Sequence, residues 1–372
     1  MRQRAIFTGR VLALMLCAAV CLISAAARAN AQMPGYPQSP ATSPQTPTSP
    51  DQNQPQGQQK GQPKEKGAPS DAEVKAAQAV QSAADAQTTA AAAMEFVKKY
   101  PKSSLRPQVA RGVVVKIAAV PDPAQRVMLA EGFTKIFNAP DEASLASPVL
   151  VNAYIEAKRF DDAYRLATPA AVEKFQDPLG VMITLAVTGA EQARQQNGKY
   201  VKASQQLGLK AVELIESGKK PAQVEDARWE EYKTSWLPQL YQSLGVMSYA
   251  AGDKLDAKVK LAKAASLNSS DPNTYILIGA IANDEYQQTA QEHKAASGAA
   301  KDELLKKAHG QLDQVIDAWA HAIALTEGNS LADQMRTQLM QDLESYYKYR
   351  HGSSEGLRQL IDKYKKPAGT QP

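Results

Sequence analysis

Apolar residues along this chain recur at the spacing of a helix face, not with the alternation of a strand. Ala257, Leu261, Ala264 and Leu267 stand at i, i+4, i+7 and i+10 and so fall on one stripe. Ahead of that stripe lie Tyr241, Leu244 and Gly245, which recur as Tyr275, Ile278 and Gly279, each 34 positions further on. A period of this size with one amphipathic stripe between the copies predicts two helices per repeat and a stack of repeats. Gly245 and Ala257 are small where the paired helices must cross, because a larger side chain would hold the backbones apart. Asp253 is predicted to start the second helix. The run Ser269-Ser270-Asp271-Pro272 ends it and begins the next, with Asp271 as cap and Pro272 in the first turn. Val113-Val114-Val115 is the one short run with strand character, and it sits in a helical context.

These residues closely resemble the tetratricopeptide repeat, whose signature is an aromatic, Leu-Gly, then Ala, an apolar residue, Ala and Pro. Tyr241, Leu244, Gly245, Ala257, Leu261 and Ala264 carry the resemblance, and the family's aromatic after Leu-Gly stands at Tyr249 instead of Ser248. The resemblance implies an interaction scaffold and not a catalyst. Carried over from the concave face of that family, it implies Tyr241, Asn273 and Tyr275 as candidate partner-binding residues.

Other units fit the same template. Tyr154, Ala157, Phe160, Ala163 and Ala167 form one; Gly198, Tyr200, Ala203 and Leu207 another; Val315, Trp319, Ala322 and Leu325 mark the second helix after Tyr275 and Ile278. The anchors Ala163, Ala203, Ala257 and Val315 are separated by 40, 54 and 58 residues, so the repeats are not uniform. The last gap exceeds 34 by 24 residues, which predicts a hairpin whose helices are each longer by about 12 residues, or roughly 18 Å, with Ser297-Gly298 at the tip. The excess before Leu240 predicts a long helix from Val224, interrupted near Pro238. Phe96 to Ser103 closes a helix with a Tyr-Pro-x-Ser ending that resembles one common in bacterial envelope repeat proteins. Gly352-Ser353-Ser354-Glu355 is a turn into Leu357, Leu360, Ile361 and Tyr364, a helix suited to cap the stack. The expectation is an all-α, irregular helical-hairpin solenoid of tetratricopeptide type over residues 71–366, with a disordered tail at 367–372.

The amino-terminal composition differs. Arg2, Arg4 and Arg10 precede an apolar run from Val11 to Ala27, and Ala29-Asn30-Ala31 offers a small-x-small cleavage site, so residues 1–31 read as a signal peptide. The protein is expected to be exported, periplasmic or extracellular; the alternative is an inner-membrane anchor formed by an uncleaved signal. If the signal is cleaved, no stable transmembrane helix is left. Both cysteines, Cys17 and Cys21, lie in this run, and neither follows the small residue that a lipidation site needs. Removal of the signal's four arginines leaves 39 basic against 38 acidic residues, a balance that argues against a nucleic-acid partner. Residues 32–70 are rich in Pro, Gln, Ser, Thr and Gly and hold nine of the 22 prolines. Too little apolar surface is available there to offset chain entropy, so the segment reads as a disordered linker with polyproline character.

No two of His293, His309, His321 and His351 are three or four apart, so no metal site is expected. No Gly-Lys-Ser/Thr phosphate loop or His-Glu-x-x-His helix occurs, and the pairs Asp161-Asp162 and Glu230-Glu231 point apart on a helix. We expect no enzyme and no cofactor. Trp229, Tyr232 and Trp236 stand at i, i+3 and i+7 and could floor a ligand site, although that spacing is also what a buried seam requires. Tyr346, Tyr347, Lys348, Tyr349 and Arg350 interleave rings with charge as an anionic-polymer site would, with capping as the simpler reading. The expected partner is a protein or peptide of the cell envelope; the alternative is cell-wall polymer or polysaccharide.

Overall fold

The computed structural model describes residues 69–221, 224–327 and 333–365, and helices are its only regular elements among them. The expected signal peptide, all but the last two residues of the linker, and the tail lie outside the described residues. The chain divides into two compact units between Pro178 and Leu179.

In the first unit, polar residues set the start of each helix. Ser70 and Glu73 form a capping box at α1 (Asp71–Ser82), and Asp85 and Thr88 form another at α2 (Ala86–Lys99). After α3 (Arg106–Ala118), Asp122 accepts from Gln125 N at 2.9 Å with Pro123 as first residue of α4 (Pro123–Ile136). α5 (Pro140–Glu156), α6 (Phe160–Leu166) and the single turn α7 (Pro169–Val172) follow. Sequence neighbours pack as pairs over Phe96, Val109, Val113, Ile117, Phe133 and Phe137. Arg106 ties α3 to α5 through Nε and Nη2, which donate to the two Glu142 carboxylate oxygens at 2.6 and 2.9 Å.

The second unit starts with α8 (Pro178–Arg194) and α9 (Val201–Glu216). Next comes one continuous helix in three parts: α10 (Asp226–Glu231), a π turn (Tyr232–Trp236) and α11 (Leu237–Ala250). The interruption predicted near Pro238 is therefore a π turn. Pro238 has no N–H and its ring would strike the carbonyl four residues back. The widened turn, in which Leu237 N donates to Tyr232 O, makes room for it. α12 (Lys254–Leu267) is capped by Asp253, and α13 (Pro272–Ala295) by Asp271 with Pro272 as its first residue, as the sequence predicts. α14 (Ala299–Thr326), α15 (Asp333–His351) and α16 (Leu357–Lys363) complete the unit, the last two packing against α14 over Trp319, Leu339, Leu343, Leu357 and Ile361.

The two central hairpins close in the same way at different lengths. Gly245 on α11 faces Leu261, 16 positions on, and a Cβ on this glycine would lie 2.7 Å from Leu261 Cγ. Gly279 on α13 faces Trp319, 40 positions on, and a Cβ there would fall inside the indole. The closures differ by the 24 residues the sequence reading assigned to an insertion. First helices thus correspond at +34 and second helices at +58. On those offsets residues 285–295 lengthen α13 and residues 299–311 lengthen α14, an arm of about 17–20 Å. Gly298, at φ +61, turns the chain at the tip.

Candidate interaction surface

The arm outruns its neighbour. α12 packs along α13 only as far as its own first turn, where Lys254 Nζ lies 3.0 Å from Asp284 and Lys258 Nζ 2.9 Å from Glu285. Beyond that point the same flank of the arm is uncovered, and it bounds a groove of about 800 Å³. Its walls are two helical stripes, Glu285, Gln288 and Glu292 on α13 and Glu303, Lys307, Gly310 and Gln314 on α14.

The groove is banded by charge. Glu292 and Glu303 form an acidic band at the tip, Lys306 and Lys307 a basic band one turn lower, and the paired Lys258 and Glu285 close the base. Thr289 is buried in the seam, and Gln311 Oε1 is buried there without a hydrogen-bond partner. Such a surface offers amides, hydroxyls and both signs of charge, which suits a polypeptide better than a small apolar ligand.

None of the six residues singled out from the sequence lines this groove. Trp229 and Tyr232 are buried, at 6% and 1% exposure, with Arg228 over the Tyr232 ring at 4.9 Å. The Trp236 indole N–H donates to Glu231 Oε1 at 3.1 Å. Tyr241 is 9% exposed; its hydroxyl donates to Glu216 Oε1 at 2.8 Å, and burial with that carboxylate pushes its pKa up to about 12. Asn273 is held by Asp271, which accepts from its backbone N at 3.1 Å and from Nδ2 at 3.2 Å. The Tyr275 ring lies 3.7 Å from that of His321, whose other side stacks on Tyr364 at 4.3 Å.

The cluster at the end of α15 is also engaged within the chain. Tyr346 donates to Asn283 Oδ1 at 2.9 Å, Arg350 pairs with Asp313 at 2.8 Å, and Lys348 pairs with Glu344 at 2.7 Å, which leaves Tyr349 as its exposed ring. Gly352-Ser353-Ser354-Glu355-Gly356, read from the sequence as a turn, also spells Gly-x-Ser-x-Gly. It joins α15 to α16 with Gly352 and Gly356 at φ +82 and +87, and so lacks the strand that precedes a nucleophile elbow. Among the described residues no group of three His, Cys, Asp or Glu side chains is placed to hold a metal, and no helix is long and apolar enough to cross a membrane.

The arm is legible in the sequence as a 24-residue surplus, but its groove is not, because the groove depends on α12 stopping short. Compared with known proteins, the chain matches no family model, no curated protein and no solved structure.

Proposed function

We propose that this protein is an exported, non-catalytic interaction scaffold of the cell envelope, built from tetratricopeptide-like hairpins. The observation that carries the reading is the shared closure of Gly245 on Leu261 and Gly279 on Trp319, which sets two hairpins on one template. The second hairpin then carries a 24-residue insertion that extends past the core, with Tyr286 at its base packed against Tyr346. A projecting helical arm with a polar groove adds recognition surface to a rigid support. Residues 1–31 supply the export signal and residues 32–70 the tether on this reading, and the partner is a protein or peptide.

The test is in-cell crosslinking of the tagged full-length protein beside a version lacking Glu285–Ala308. That deletion removes 24 residues, restores the 34-residue spacing and brings Gly310 to the place of Gly252, the turn glycine with φ +85. One or two envelope proteins captured by the full chain and lost with the deletion support the scaffold. A bait that captures no protein and sediments with the cell wall supports the polymer-binding reading instead.

A further inference from the structure

The four charges in the outer half of the arm groove, Glu292, Glu303, Lys306 and Lys307, are all exposed, and among the described residues none has an ion-pair partner. This sets them apart from the base of the groove, where Lys254 and Lys258 are both neutralised by carboxylates on α13. The order along the groove is acidic at the tip and basic one turn below it. A flank with that order is complementary to itself when turned over: a two-fold axis between the bands lays each acidic band on the basic band of the other copy.

We propose that the occupant of this groove is the arm of a second copy of the chain, the two hairpins lying antiparallel as a four-helix bundle. Small residues allow the approach, since Gly310 has no neighbour within 4 Å of a built Cβ and Thr289 fills the seam beside it. The arm is only about 17–20 Å long, so the buried area is below that of a standard interface. The association is therefore weak, salt-dependent and steered by charge. It does not rest on the tetratricopeptide reading; it needs only the groove.

The experiment is sedimentation equilibrium of the purified protein over a range of concentrations at low and high salt, with two double variants. Glu292→Lys with Glu303→Lys makes all four groove charges positive; Lys306→Glu with Lys307→Glu makes all four negative. Wild type is expected to form a dimer that is lost as salt is raised. Each variant alone is expected to be monomeric, and an equimolar mixture to dimerise at least as well as wild type, which also shows that both variants are folded. Wild type that stays monomeric at every concentration overturns the proposal. So do variants that dimerise as wild type does, and so does a mixture that stays monomeric.

Discussion

Gly279 on α13 lies directly against the indole of Trp319 on α14, with no space for a side chain between them. Trp319 is 4% exposed and in turn meets the Tyr346 ring of α15 at 5.6 Å, so this one contact joins three helices. The small residue brings the two backbones close enough for a large ring to fill the crossing, where Leu261 suffices against Gly245.

Gly279→Ala is therefore expected to cost about 2 kcal/mol or more, because the ring can only move by disturbing α15. In thermal unfolding the second unit should lose roughly 4–8 °C. Gly245→Ala should cost less, since Leu261 can change rotamer. Equal stability of Gly279→Ala and wild type would show that the crossing is not close-packed.

Gly310 should respond with opposite signs in two backgrounds. In the full chain it sits inside α14 with open space around it, and Gly310→Ala should stabilise by roughly 0.5–1 kcal/mol. In the chain lacking Glu285–Ala308 it replaces Gly252 at a turn of positive φ, and the same substitution should destabilise. Urea midpoints of the four proteins measure both effects.

Arg106 and Glu142 form a largely buried ion pair in the first unit, their side chains 16% and 11% exposed, with the guanidinium 5.7 Å from the centre of the Phe137 ring. Removing one partner leaves a desolvated charge. Glu142→Ala should cost roughly 2 kcal/mol, a figure between buried and exposed pairs because some solvent access remains. Arg106→Met combined with Glu142→Leu should recover most of that loss in denaturant unfolding.

The His321 ring sits between Tyr275 and Tyr364, and burial holds its pKa below the ordinary 6.5, with Lys363 pushing the same way and Asp317 opposing. Folding thus disfavours the imidazolium. The contribution to stability is fully present above 6.5 and is lost as pH falls through the lower folded value. His321→Phe keeps the stack and should flatten this part of the pH–stability profile, and proton NMR of His321 should show a midpoint below 6.5.

Tyr241 separates a structural role from a binding one. Tyr241→Phe removes the bond to Glu216 and should cost about 1 kcal/mol. It should also remove one tyrosine that ionises only at about 12 in an alkaline absorbance titration. If crosslinking to an envelope partner survives in the folded variant, the residue belongs to the fold alone.

By itself the sequence determined the helical class, the caps at Asp253 and Asp271, the shared register of the two central hairpins and the length of the arm. Each of these is local or periodic: a cap needs a side chain two or three residues from an N–H, and a register needs only recurring apolar and small positions. Burial of Trp229 and Tyr232 follows the seam that their spacing favours, but tertiary structure alone excluded the ligand floor that the same stripe could also have formed. It alone decided that Tyr346 and Arg350 turn inward to Asn283 and Asp313, partners 63 and 37 residues away. The groove, too, is written in no single segment. It exists because α12 ends its cover of α13 at Lys254 while α13 and α14 continue, and such a difference in length becomes a surface only when the helices are laid side by side.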